Sequence, residues 1–202
     1  MLRLNARPNV AHRYEVVVIA ASAGGIPALG TLLAGLPHDF PLPIAVVQHR
    51  TASHPQMLAH VLGRRTALKV KFAEEGEALQ PGTVYLAPHD LHMTVRRDRS
   101  IALVDGLKIR HVRSSANPLF ASAALALQGR VIAVVLTGYD RDGTDGVQTV
   151  KGQGGIVIAQ DKSTSVNFGM PRSAIESGAV EHILPLGKIA GELVRLAKAV
   201  RE

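Results

Sequence analysis

The chain contains no cysteine and no tryptophan, and only three tyrosines and four phenylalanines in 202 residues. Without cysteine there is neither a disulfide framework nor a thiolate site. The scarcity of aromatics weighs against nucleic-acid binding, because single strands are held largely by stacking on aromatic faces. The basic residues behind the net charge of +7 are scattered rather than gathered into a patch. No apolar run approaches the roughly 20 residues that span a bilayer; the longest lie around 16–21 and 131–136. The N-terminal stretch, with Arg3, Arg7, Pro8 and Arg13, has no apolar core of a secretory signal. These absences lead to the expectation of a soluble cytoplasmic protein that neither inserts into a membrane nor binds nucleic acid. The positive surplus suits an acidic protein partner.

What the chain does have is short, uninterrupted apolar runs. At 47% hydrophobic and 19% charged, it is long enough for one substantial core and too short for two comfortable ones. Residues 15–202 therefore read as one domain behind an N-terminal arm, 1–14, that shows no periodicity. Val16 to Ala21 is apolar at every position, the pattern of a strand covered on both faces. Ser22 ends the run, Gly24 and Gly25 permit a sharp turn, and Ile26, Ala28, Leu29, Leu32 and Leu33 follow at helical spacing. A serine between strand end and helix start lies beside unpaired N–H groups and the positive end of a helix dipole, which favours an oxyanion beside its hydroxyl. The same turn also fits a loop that binds nothing, or a phosphate.

Two further strand ends carry reactive groups. Ile44 to Val47, after a proline-rich loop, delivers Gln48 and His49, and Val131 to Leu136 runs into Thr137-Gly138-Tyr139-Asp140-Arg141-Asp142-Gly143. A helix over Gln56–Gly63 and a strand over Leu68–Phe72 complete an opening β-α-β-α-β order. Pro81-Gly82 marks a turn, and Val84–Ala87, Leu91–Val95 and Ile101–Val104 are strands spaced so closely that antiparallel pairing is expected, as a hairpin or small meander at the sheet edge. A long loop over Gly106–Ala116 precedes a helix from Pro118 to Gln128. After the third run come a helix over 144–152, a strand Gly155–Ala159, a short helix to Ser177 and an amphipathic helix from Gly187 through Val200, with Arg201 on its charged side. The expected fold is α/β: a doubly wound, mostly parallel, Rossmann-like sheet with helices on both faces and an antiparallel hairpin at one edge.

Ser22, His49 and Asp142 all arrive at the carboxyl ends of strands read as central, the edge where open α/β sheets bind ligands. A serine needs a neighbouring base to be nucleophilic, a histidine supplies one, and a buried carboxylate orients the imidazole. Taken singly, the three also fit a turn serine, a core histidine and a helix-capping aspartate. The order Ser…His…Asp differs from that of α/β-hydrolases, chymotrypsin and subtilisin, and Ala-Ser-Ala-Gly is not the Gly-x-Ser-x-Gly elbow. The alternative is a non-catalytic or nucleotide-binding α/β module, against which stands the lack of Gly-x-x-x-x-Gly-Lys and Gly-x-Gly-x-x-Gly. A zinc site from His89, Asp90 and His92 is disfavoured because these residues straddle a turn into a strand.

Ala-Ser-Ala-Gly-Gly at 21–25, Pro-Ile-Ala-Val-Val-Gln-His at 43–49, Pro-Gly-Thr-Val-Tyr-Leu-Ala-Pro at 81–88, Leu-Thr-Gly-Tyr-Asp-Arg-Asp-Gly at 136–143, Ala-Gln-Asp at 159–161 and Gly-Met-Pro-Arg at 169–172 together carry a resemblance. The chain resembles the catalytic domain of the chemotaxis protein-glutamate methylesterases, the CheB family, from Tyr14 to the end. The resemblance implies hydrolysis of glutamate methyl esters on chemoreceptor cytoplasmic helices with release of methanol, often deamidation of receptor glutamines, and no metal or organic cofactor. The expected partner is a methyl-accepting chemoreceptor or a similar acidic helical protein. By the same resemblance Ser22 is the nucleophile, His49 the base, Asp142 the orienting acid and the backbone N–H of Tyr139 an oxyanion donor. Asp140 stands where the family has glycine and is expected to point outward, and Asp145 is accounted for by the dipole of the next helix.

The chain departs from the family pattern at Ala23 in place of Thr, Arg50 in place of Met, Tyr139-Asp140 in place of Met-Gly, and Ser114-Ser115-Ala116-Asn117 in place of a Pro-Ser-Val-Asp-like segment. These changes spare the triad and bear on substrate choice. Family members usually carry an N-terminal phosphoacceptor receiver domain, which the about 13 residues before the first strand cannot hold. A stand-alone catalytic domain with a constitutively available site is therefore expected.

Overall fold

The computed structural model describes residues 13–49, 55–105 and 114–199. Residues 1–12 of the expected arm, Arg50, the loop at 106–113, and Val200 and Arg201 lie outside the described residues. In chain order the elements are β1 (Val16–Ala21), α1 (Gly25–Ala34), β2 (Ile44–Gln48), α2 (Pro55–Gly63), β3 (Lys69–Phe72), β4 (Thr83–Leu86), β5 (His92–Val95), β6 (Ile101–Val104), α3 (Ala116–Ala126), β7 (Val131–Val135), α4 (Thr144–Gly152), β8 (Ile156–Gln160), α5 (Gly169–Glu176), β9 (His182–Leu184) and α6 (Leu186–Ala197). The main sheet has the order β3-β4-β2-β1-β7-β8-β9, and every neighbouring pair is parallel.

The unbroken apolar run of β1 has its cause in two cores. Val17, Ile19 and Ala21 enter one with Leu29, Leu32 and Leu33 of α1, Leu58 and Leu62 of α2, and Ile189 and Leu193 of α6. Val16, Val18 and Ala20 enter the other with Leu119 and Phe120 of α3, Val147 and Val150 of α4, and Met170 of α5. With both faces covered, no position along the strand tolerates a polar residue. Tyr14, which the sequence pattern leaves in the arm, is only 3% exposed and belongs to the first core, and the Arg13 N–H donates to the Ala199 carbonyl.

Three features differ from the sequence reading. β4 is not part of an antiparallel meander: it lies between β2 and β3, parallel to both. The segment 73–82 makes this crossover without a helix, and the buried Tyr85 holds it, its hydroxyl donating to the Ala78 carbonyl and accepting from the Gln80 N–H. β5 and β6 do pair antiparallel, but as a separate two-stranded sheet rather than at the edge of the main one; Met93, Val95 and Ile101 pack it onto the core under α3. β9, a half-exposed strand at the sheet edge, is invisible in the sequence pattern, because three residues give no periodicity.

The strand order places a crevice at the centre. From β1 the chain crosses through α1 to β2 on one side, whereas from β7 it crosses through α4 to β8 on the other. Adjacent strands whose connections diverge leave an opening at their carboxyl ends, and here the opening lies between Ser22 and the 137–142 loop. One wall depends on α3 packing against α4. At Gly146 an added Cβ would lie 2.7 Å from the Phe120 Cβ and 3.2 Å from the Asn117 backbone. Gly146→Ala is therefore expected to destabilise the fold by about 1–3 kcal/mol through overpacking, despite alanine's better helix propensity. Gly191→Ala, with nothing within 4 Å in α6, is expected to stabilise by about 0.4–1 kcal/mol. Urea denaturation of both variants checks the contrast.

Candidate active site

Register places Ser22 beside His49. Ala21 pairs with Gln48, the His49 N–H donates to the Ala21 carbonyl at 2.9 Å, and the Ser22 N–H donates to the Thr137 carbonyl at 2.9 Å on the other side. The next step of the chain is a turn that requires glycine: Gly24, with φ of +77°, is the N-cap of α1. Gln48 locks this corner from below, its Nε2 donating to the carbonyls of both Ser22 (2.9 Å) and His49 (2.8 Å). Its Oε1 is buried with no hydrogen-bond partner. Such an acceptor costs about 1–3 kcal/mol, which is tolerated where the same amide ties two reactive strand ends together.

His49 is paired with Asp142 through an Nε2···Oδ2 bond of 2.7 Å, the imidazole 8% and the carboxylate 1% exposed. With Nε2–H donating to the carboxylate, Nδ1 carries the free lone pair. Asp142 also accepts from the Ser115 hydroxyl on Oδ1 at 2.5 Å and from the Ala116 N–H on Oδ2 at 2.6 Å. Ser115 is the N-cap of α3 and Ala116 its first residue, so the carboxylate sits at the positive end of that helix. Burial pushes the Asp142 carboxyl up, but the bonds from His49, Ala116 and Ser115 outweigh it and hold the group below the ordinary carboxylate value. The aspartate does not cap its own following helix, whose N-cap is Gly143.

The 138–139 peptide closes the other side. A Cβ at Gly138 would lie 2.8 Å from the Ser22 Cβ and 2.1 Å from the Met170 Sδ, so only glycine lets this backbone approach the serine. The Gly138 N–H is taken by the Asn167 carbonyl, which leaves the Tyr139 N–H as the next donor along the loop. Thr137 stitches the corner, its hydroxyl donating to the carbonyls of Ala23 and Asn167 and accepting from the Asn167 N–H.

Of the acidic residues after β7, Asp142 alone meets His49. Asp140 accepts from the Arg141 N–H, and Asp145 is exposed in the first turn of α4. The turn after β1 is not an open phosphate cradle: Val166 covers Gly24 so closely that a Cβ there would lie 2.7 Å from its own Cβ, and the Gly25 N–H donates to the Ser22 carbonyl. His92 is buried with Nδ1 accepting from the Ser115 N–H, while His89 pairs with the exposed Asp90. Among the described residues no group of three or more His, Asp or Glu could hold a metal ion. The sequence reading assigns no role to Gln48 as a clamp or to Ser115 as a carboxylate donor. A serine just ahead of an alanine-rich helix is an N-cap signal, and it moves the start of α3 from Pro118 to Ala116.

The model of the CheB methylesterase family matches residues 17–193. The chain belongs to the CheB methylesterase family. It is 43% identical over 190 residues to protein-glutamate methylesterase/protein-glutamine glutaminase 2 of Caulobacter vibrioides, covering 92% of this chain and 55% of the relative. It is likewise 43% identical over 196 residues to a protein of the same name from Anaeromyxobacter dehalogenans, covering 97% and 57%. The chain thus spans about half the length of these curated relatives. The crystal structure of the Thermotoga maritima CheB methylesterase catalytic domain superposes with a TM-score of 0.87 at 41% identity, covering 91% of this chain and 98% of that one. The α/β architecture is therefore that of the family's catalytic domain.

A carboxylate whose folded pKa is depressed contributes stability that is complete above its unfolded pKa and is lost as pH falls through the folded one. For Asp142 that window lies below the ordinary value of 3.8. The stability advantage of the native chain over Asp142→Asn is therefore expected to shrink as pH falls below about 4. Chemical denaturation of both proteins between pH 4 and pH 3 checks the sign; an advantage that grows over that range would contradict it.

Proposed function

We propose that the chain is a serine esterase that hydrolyses glutamate methyl esters on the cytoplasmic helices of chemoreceptors, with methanol as the leaving group. The observation that carries the reading is the buried His49–Asp142 pair at one strand end, beside Ser22 at the next. The Ser22 hydroxyl attacks the ester carbonyl as His49 Nδ1 takes its proton, and the Tyr139 N–H donates to the oxyanion. That donor uses main chain only, so it survives the change from the family's methionine. The proton passes from His49 to the departing methanol, and water repeats the sequence on the acyl-enzyme. Asp142 orients the imidazole and stabilises its protonated form. A glutamine amide in the same position would follow the same path with ammonia leaving, and the names of the relatives carry both activities. No step calls for a metal or organic cofactor.

The reading puts residues 15–202 forward as the catalytic domain, acting in the cytoplasm where receptor helices lie; no helix among the described residues is long and apolar enough to cross a membrane. Ser22→Ala is expected to abolish nearly all methanol release from methylated receptor. Asp142→Asn is expected to lower kcat by about 10³–10⁴, as in triads whose acid is replaced, and Asp140→Asn and Asp145→Asn each by less than about tenfold. Parallel turnover measurements decide the assignment, which fails if Asp140→Asn is the most damaged.

The net charge of +7 also sets an expectation for salt. Steering toward an acidic receptor weakens as ions screen it over a Debye length of about 8 Å at physiological ionic strength. Raising salt should thus lower kcat/KM on intact receptor and change hydrolysis of a small neutral ester little. Equal salt dependence for both substrates would remove the steering.

A further inference from the structure

The first turn of a helix leaves backbone donors that the helix itself cannot satisfy. In α5 no side chain caps from Phe168, and Pro171 has no N–H to place. Of the remaining donors, the Gly169 N–H goes to Asn167 Oδ1 at 3.2 Å, and the Met170 N–H leaves the helix to reach the Gly138 carbonyl at 2.8 Å. The Gly138 N–H is held in turn by the Asn167 carbonyl at 2.9 Å. Both main-chain groups of Gly138 are therefore tied to the segment that opens α5.

Close packing tightens this grip. A Cβ at Gly169 would lie 2.1 Å from the Tyr139 carbonyl oxygen, 2.7 Å from the Tyr139 carbonyl carbon and 2.9 Å from the Gly138 oxygen. All three obstacles are backbone atoms, so α5 rests directly on two successive peptides of the 137–142 loop. Gly169 is not among the glycines with positive φ; what demands glycine here is contact, not conformation. The space that a side chain at Gly138 would fill is taken by the Met170 Sδ, 2.1 Å from such a Cβ, and Met170 is buried.

A trans peptide points its C=O and N–H in opposite directions. In the 138–139 peptide the carbonyl points at α5, so the Tyr139 N–H points away from it, and among the described residues that N–H donates to no acceptor. A free donor whose direction is fixed before substrate arrives is the requirement of an oxyanion hole. We propose that Gly169 and Met170 are positioning residues for this donor: the opening of α5 is a rigid seat for the 138–139 peptide and thereby aims the Tyr139 N–H. This rests on the esterase reading for what the N–H meets.

Two measurements separate the seat from the chemistry. Amide hydrogen exchange on the native chain reads the seat: corrected for intrinsic rates, Gly138 and Met170 are expected to exchange at least about tenfold more slowly than Tyr139. Equal exchange at Met170 and Tyr139 overturns the proposal. Methanol release from methylated receptor reads the consequence. Gly169→Ala improves helix propensity, yet it is expected to lower kcat about 10²-fold, near the loss of one oxyanion donor, with KM within about threefold. Gly187→Ala, near the start of α6 with nothing within 4 Å of an added Cβ, is expected to leave kcat unchanged. A folded Gly169→Ala with kcat within about threefold of native, or with only KM affected, overturns the proposal. Where Gly169→Ala does not fold, Met170→Leu decides in its place, since it keeps the main-chain donor and about the same volume. Its kcat is expected to fall about three- to tenfold with KM unchanged, and native turnover overturns the proposal. A native chain that protects Gly138 and Met170 but releases no methanol sinks the esterase reading and leaves the seat; methanol release with Met170 unprotected does the reverse.

Discussion

A carboxylate that is almost wholly buried stays ionised only where donors replace the water it has lost. Asp142 has three, and they come from two distant parts of the chain: His49 at the end of β2, and the N-cap hydroxyl of Ser115 with the first N–H of α3. All three are supplied together only when β2, α3 and the β7–α4 loop are seated. The site and the fold are therefore coupled through a single anion. α3 acts on it twice, by direct hydrogen bonds and by the dipole of its N-terminus, and α3 is itself fixed by the close contact of Phe120 and Asn117 with Gly146 of α4.

A second set of polar bonds makes the crevice rigid where it meets substrate. Gln48 joins the carbonyls of Ser22 and His49, Thr137 joins the β1–α1 turn to the β8–α5 loop, and buried Gln160 accepts from the Thr137 N–H while donating to the Thr164 carbonyl. Each is a side chain reading two backbone segments at once. The catalytic geometry proposed here is thus set by strand ends and short polar clamps, with little left to loop flexibility.

Much of this is legible in the sequence, for a physical reason. The strands at 16–21, 44–47 and 131–136 are buried on both faces, so their residues carry no alternation and their ends are marked by the first polar groups, which are Ser22, Gln48-His49 and the 137–142 loop. Burial wrote the central sheet and the site into composition. β4 is misplaced by sequence alone because close strand spacing ordinarily means a hairpin, and nothing local in 73–82 announces a crossover held by a distant tyrosine hydroxyl. Gln48 and Ser115 escape notice because their partners, two carbonyls and a carboxylate, are set by register and helix placement that one sequence does not display.

The strand order also governs when the site can exist. β1 is flanked by β2, which follows it closely, and by β7, where Val16 waits for Val131. At about 5–20 residues per second of synthesis, that wait is on the order of ten seconds. Throughout it the nascent chain has neither the carboxylate that orients His49 nor the glycine backbone that packs against the serine, because Gly138 and Asp142 are still to be made. The topology thus works as an interlock on the ribosome: the reactive corner closes only once the β7 segment has emerged. Until then, an apolar strand edge at the centre of the future sheet is open to mispairing and to chaperones.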